Sequence, residues 1–153
     1  MNPPVRPEAD DSVPNILVPV QPDRDVRWCA QFLAGLHRDG RIRVHLLSVQ
    51  PPYDGLVRMF FNRESVDEFQ AADARRELQP LRDALDALGV PYNTHMAVGQ
   101  PAEEIARFAR EYHCPRIVFG PWRGGVLPGL VFGSLPRQVE LLMRQSGGLC
   151  EVV

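Results

Sequence analysis

A chain of 153 residues, 44% apolar and 24% charged, has the length of one domain and the makeup of an ordinary globular protein. Its net charge of −2 argues against a surface built for nucleic acid or for an anionic membrane. All 17 basic residues are arginine, which excludes Schiff-base lysine chemistry and the phosphate-gripping lysine of a P-loop.

The opening stretch, MNPPVRPEADDSVP, lacks the apolar centre of a signal peptide. Residues 1–13 are read as a disordered tail ahead of a single domain over 14–153. NILVPV (15–20) is a short apolar run that reads as a buried strand, and QPDRD after it carries helix-start residues. Val26, Cys29, Ala30, Leu33 and Leu36 then recur at helical spacing, and Gly40 suits the helix end. Arg41 to Val49 is β-branched and apolar enough for a second buried strand.

Residues 50–64, QPPYDGLVRMFFNRE, are expected to form a long irregular loop. Ala74, Leu78, Leu81, Leu85 and Leu88 mark the next helix, with Pro80 predicting a kink or a restart inside it. Tyr92 to Val98 reads as a third strand. The helix after it has Pro101 in its first turn, Glu103 and Glu104 at its positive end, and Ile105, Phe108, Ala109 and Tyr112 on one face. Arg116 to Phe119 makes a fourth strand, Ser134 an N-cap for a helix to about Gln145, and Gly148 to Val153 a last strand. Five strands alternating with four helices predict an α/β fold: a doubly wound, Rossmann-like parallel sheet with helices on both faces. No run approaches membrane-spanning length. Three widely spaced cysteines, Cys29, Cys114 and Cys150, give neither a disulfide framework nor a zinc site and suit a reducing, cytoplasmic setting.

In such a sheet, ligands bind at the carboxyl ends of the strands, where the strand order reverses. Two strand ends suit a site: VPVQPD after the first strand and IVFGPW after the fourth. If these strands are neighbours, the two loops wall one crevice. Across nearly its whole length after the tail the chain resembles the universal stress protein family. The residues that carry the likeness are ILVPV (16–20), LLSVQPP (46–52), VGQPAEEIARFA (98–109), RIVFG (116–120), Gly133-Ser134 and the terminal strand.

The resemblance implies the strand order 3-2-1-4-5, which makes strands one and four neighbours. It implies a non-catalytic homodimer paired through Leu149–Val153, with ATP or another adenine nucleotide as the ligand class. Nucleotide-binding members carry Gly-x2-Gly-x9-Gly-Ser/Thr after the fourth strand. Gly120, Gly133 and Ser134 match that pattern, as do Pro19, Val20 and Val49 elsewhere in the pocket. The middle glycine position holds Arg123, and Gln21 stands where such members have an acidic residue. Pro121 and Pro136 each remove an N–H donor, while the amides of Ser134 and Leu135 remain suited to an anion. A glycine in such a loop lets the backbone approach phosphates. An arginine there either blocks them or grips them with charge-assisted hydrogen bonds.

Other groups invite chemistry. His45 and His95 fall on adjacent strands of the implied order, without HxH or HExxH spacing, and are read as packed or surface histidines rather than metal ligands. Ser134 lies in VFGSL, not in a GxSxG elbow, so it reads as a cap or phosphate contact rather than a nucleophile. Asp23 and Asp25 read as helix-start acids. Met59-Phe60-Phe61 is a partner surface, a lid, or loop side chains folded onto the core. Cys150 reads as a buried thiol, near enough in a dimer to approach its symmetry mate.

Three functions stand at this point. The first is a non-catalytic stress protein with a modified adenine-nucleotide pocket. The second is an ATP- or AMP-binding sensor in which Arg123 replaces the loop glycine. The third is a nucleotide hydrolase of the related adenine-nucleotide hydrolase superfamily. Its pyrophosphatase-type members place S-G-G-x-D-S after the first strand, where this chain has QPDRD.

Overall fold

The computed structural model describes residues 12–53, 55–123 and 134–153. The strands are β1 Asn15–Pro19, β2 Arg43–Gln50, β3 Tyr92–Val98, β4 Arg116–Ile117 and β5 Glu151–Val152. They form one all-parallel sheet in the order β3-β2-β1-β4-β5. Hydrogen bonding continues past the two short strands: the Val118 amide reaches Leu17 O at 2.8 Å and the Phe119 amide reaches Val153 O at 2.9 Å.

Because side chains alternate across a strand, a sheet covered on both faces needs apolar residues at successive positions. Ile16, Val18, Val44, Leu46 and Val118 pack on one face against Cys29, Leu33, Leu78, Leu81 and Leu85. Those helical residues belong to α1 (Val26–Asp39) and α3 (Arg63–Ala87). Leu17, Leu47, Ile117 and Phe119 pack on the other face against Ile105, Ala106, Val139 and Met143. These come from α4 (Pro101–Glu111) and α5 (Leu135–Gln145). Each such leucine, fully buried, contributes about 1.5–3 kcal/mol relative to an exposed one. The doubly wound fold and the implied strand order are thus observed.

Two expectations need correction. Residues 50–64 are not a plain loop: α2 (Gly55–Phe60) forms within them, and α3 begins at Arg63, behind an Asn62 cap whose side chain accepts from the Ser65 amide at 2.8 Å. The inner seam of α3 starts at Val66 and runs through Gln70 to Ala74 and Leu78, all buried. Gln70 hid that seam, since an amide stands in an apolar position; its Nε2 donates to Pro51 O at 3.2 Å. Nor does α3 restart at Pro80, which lies inside the continuous helix on its exposed side. There the Arg76 carbonyl, left without its helical partner, can turn to water.

The chain register elsewhere follows local chemistry. The Asp25 carboxylate caps α1 by accepting from the Trp28 amide at 3.0 Å. Ser134 occupies the N-cap position of α5, but its hydroxyl makes no capping hydrogen bond. Most of the 1–13 tail, residues 1–11, falls outside the described residues. Among the described residues no helix is long and apolar enough to cross a membrane.

Candidate functional site

Because β1 and β4 are neighbours, the segments leaving their carboxyl ends lie side by side. They are bonded to each other directly. The Asp25 amide donates to Pro121 O at 3.0 Å, the Arg123 amide donates to Asp23 O at 2.7 Å, and Arg24 and Trp122 form an antiparallel bridge. A short two-stranded clasp therefore joins the loops.

Gly120 sets the geometry of the turn. Its φ is 77°, a left-handed conformation that favours glycine. A Cβ at this position would sit 2.5 Å from Cys29 Sγ and 3.2 Å from Trp28 Cε3. Its glycine character is thus demanded by packing against α1, independently of any ligand. Cys29 Sγ in turn faces Phe119 O at 3.6 Å, and burial raises its thiol pKa to about 11. An inert, neutral thiol results.

The side chain that spans the clasp is Arg24, only 9% exposed. Its Nε donates to Gln21 Oε1 at 3.0 Å and its Nη1 to Gly120 O at 3.4 Å. The guanidinium lies over two rings, with Cζ 5.7 Å from the centre of Phe119 and 5.4 Å from that of Trp122. Cation–π contacts of this kind contribute about 0.5–2 kcal/mol each. Burial lowers the pKa of Arg24, with Asp23 acting in the opposite direction; an arginine so shifted still carries its charge at neutral pH. Sequence reasoning missed this residue, because an arginine in QPDRD looks like any solvated helix-start charge.

The residues singled out from the sequence divide as follows. Pro19 and Val20 are buried at the end of β1, and Val20 extends the ladder through its amide to Leu47 O at 2.9 Å. Val20 packs with the α1–α3 cluster and Val49 with the α4–α5 cluster, so their side chains lie on opposite faces of the sheet. Gly120 sits at the clasp. Arg123 is exposed and lines a shallow groove of about 600 Å³ between α1 and the end of α3, with Asp25, Arg27, Gln31 and Leu88. Gly133 falls outside the described residues, and Ser134 is half-buried at the start of α5.

Two polar clusters lie apart from the clasp. His45 Nδ1 and His95 Nε2 are 2.9 Å apart, and His45 Nε2 is 3.0 Å from Asn15 Oδ1. The Asn15 amide nitrogen donates to Tyr112 O at 2.7 Å, which turns its oxygen toward His45. Neutral His45 therefore carries its proton on Nε2 and accepts at Nδ1 from His95 Nε2–H. Burial pushes the His45 pKa down to about 4, aided by His95 and Arg43, and burial lowers that of His95 as well. The pair packs among Phe108 and Tyr112, in line with the packed-histidine reading. No group of three or more His, Cys, Asp or Glu suited to a metal occurs among the described residues. On the other face, Ser48 Oγ donates to Glu77 Oε2 at 2.5 Å, and Gln50 Nε2 reaches the same oxygen at 3.1 Å. Burial raises the Glu77 pKa against these hydrogen bonds.

The family model described as "Universal stress protein family" matches residues 13–140. No curated protein matches the chain. Among solved structures, a universal stress protein from Archaeoglobus fulgidus is 24% identical, with a TM-score of 0.63 over 92% of this chain and 96% of that one. The universal stress protein from Archaeoglobus fulgidus in complex with dAMP is 22% identical, with a TM-score of 0.59 over 92% and 95% of the two chains. A universal stress protein in complex with cAMP is 16% identical, with a TM-score of 0.63 over 92% and 94%. At such identities these likenesses show the shared fold.

Proposed function

Since the chain belongs to the universal stress protein family, we propose that it acts by binding rather than by catalysis, as a homodimer whose adenine-nucleotide pocket has been remodelled. One observation carries the reading. Arg24, held by Gln21 and Gly120 and lying over Phe119 and Trp122, crosses the junction of the β1 and β4 loops. Relatives of this fold are known in complex with dAMP and with cAMP. In this chain a neutral Gln21 spends its oxygen on Arg24, and the amides of Asp25 and Arg123 are spent on the opposite loop.

Those groups are then no longer free to receive a nucleotide. A lost hydrogen bond to a charged group costs about 1.5–3 kcal/mol, roughly 10- to 100-fold in affinity. Two or three such losses turn micromolar ATP binding into millimolar binding or weaker. In the clasp the Asp25 carboxylate is engaged in capping α1 and burial holds the Cys29 thiol neutral, which supports the binding reading. The homodimer reading rests on β5, an edge strand of the sheet beside which Leu149 is 99% exposed. Arg123, exposed on the α1–α3 groove, lends the compensating-grip reading no contact of its own.

Denaturing the purified protein and assaying the supernatant by mass spectrometry tests this function. The outcome expected is no stoichiometric ATP. Recovery of one ATP per chain would overturn the remodelled pocket.

A further inference from the structure

Cys114 and Cys150 are far apart in the chain, and the sheet brings them together. β4 and β5 pair in parallel, with Arg116 beside Glu151 and Ile117 beside Val152. The Glu151 amide donates to Pro115 O at 2.9 Å, and the Arg116 guanidinium holds the Glu151 carboxylate at 2.7 Å, so the register is pinned at this end. Cys150 stands just before that pair on β5, and Cys114 lies one residue further back on the other chain segment. The proline at 115 favours extended backbone at Cys114. Strands spaced about 4.8 Å apart, with a rise of about 3.3 Å per residue, then put the two α-carbons roughly 6 Å apart. A disulfide spans about 4.4–6.8 Å between α-carbons. The side chains enter one cluster as well. Cys114 is buried there with Ala109 and Met143, and the half-buried Cys150 packs against it.

We propose that Cys114 and Cys150 are a reversible oxidation site, whose disulfide latches β5 to the chain between α4 and β4. Hydrogen peroxide is the oxidant. The thiolate of Cys150, the more accessible of the two, attacks one peroxide oxygen, breaking the O–O bond and releasing hydroxide, which takes a proton to become water. Cys114 sulfur then attacks the resulting sulfenic acid: the S–S bond forms, the S–O bond breaks, and a second water leaves. Two thiols thus lose two electrons and two protons, and one peroxide becomes two waters. Burial raises the Cys114 pKa to about 12, with the nearby Cys150 adding to the rise, and burial raises that of Cys150 as well. Both groups are therefore thiols at pH 7, where the reaction is slow, and it quickens about tenfold for each unit the pH is raised. Cys29 belongs to the cluster on the opposite face of the sheet and takes no part. The site lies apart from the β1–β4 clasp and is independent of what binds there.

The test treats the reduced full chain with stoichiometric hydrogen peroxide, alkylates the remaining thiols and cuts at arginine without reduction. Cys114 falls in the peptide 111–116 and Cys150 in 145–153. Mass spectrometry is expected to find these two joined, two hydrogens lighter than their sum, with Cys29 alkylated; dithiothreitol separates them. The thermal midpoint of the oxidised chain is expected to rise by about 5–10 °C, because the bridge closes the loop from 114 to 150 in the unfolded state. Cys114→Ser and Cys150→Ser are expected to show no such rise on oxidation. Two chains joined through Cys150 alone would overturn the site, and so would Cys150 driven to sulfinic acid while Cys114 is still alkylated. A joined peptide with an unchanged midpoint would overturn the latch. Should Cys114→Ser fail to fold, the wild-type peptide map and Cys150→Ser, at the less buried position, decide alone.

Discussion

The carbonyl of Asp23 accepts a 2.7 Å hydrogen bond from the amide of Arg123. That bond belongs to the backbone, so it survives any change of the Arg123 side chain other than to proline. Arg123→Gly is therefore expected to leave ATP affinity within about threefold of wild type, because the clasp and Arg24 remain in place. Calorimetric titration of both proteins checks this. A gain of tenfold or more would make the side chain at 123, rather than the clasp, the obstacle.

Gly120→Ala should be among the more damaging single changes in the chain. It combines a φ of 77° with a Cβ 2.5 Å from Cys29 Sγ. Strain and overpacking together are expected to cost about 2–4 kcal/mol, read as a lower midpoint in urea. Adding Cys29→Ala removes the contact with sulfur and should recover part of the loss, leaving the backbone strain and the 3.2 Å approach to Trp28 Cε3.

The histidine pair gives a pH dependence with a definite sign. His45 titrates at about 4 when folded against an ordinary 6.5, so below pH 6.5 the unfolded chain binds the proton first. The stability contributed by neutral His45 is complete above pH 6.5 and is lost progressively as the pH falls toward 4. Its size is about 2 kcal/mol once screening by solvent is allowed for. Glu77, whose folded pKa is raised, works the other way, stabilising at low pH and losing that contribution as the pH rises. The difference in stability between wild type and His45→Gln, measured across this range, isolates the histidine. A difference that does not change with pH would contradict its neutral, buried state.

Leu149 is 99% exposed beside the edge strand β5. If the proposed homodimer pairs through this strand, Leu149→Asp is expected to give monomer in light scattering where the wild type gives dimer, with an unchanged circular dichroism spectrum. Deletion of Leu149–Val153 is a harsher version, because it also removes the Val153 carbonyl that accepts from Phe119 and Gly120. An unchanged dimer in Leu149→Asp would move the interface elsewhere.

What could be read from the sequence followed the strength of local signals. β3 and α4 begin where their patterns place them, and α5 starts after Ser134, because apolar periodicity and a proline in the first turn are local properties. The first half of α3 was hidden by Gln70, a polar residue holding a core position through a hydrogen bond that only the fold supplies. The clasp itself was half legible. That the β1 and β4 ends face each other followed from the strand order, and Gly120 was marked as special. Arg24 carried no local signal, since its partners Gly120, Phe119 and Trp122 lie some hundred positions away. The His45–His95 contact shows the same limit: two adjacent strands could be named, but the 2.9 Å bond and its tautomers depend on Asn15 and Tyr112.

Isothermal calorimetry with ATP on the wild-type chain tests the remodelled pocket most directly. With Arg24 lying across the junction and the loop amides bonded to each other, binding is expected to be millimolar or weaker, without saturation at micromolar nucleotide. A saturable micromolar isotherm with one ATP per chain would mean that the clasp opens for nucleotide, and the account would be wrong.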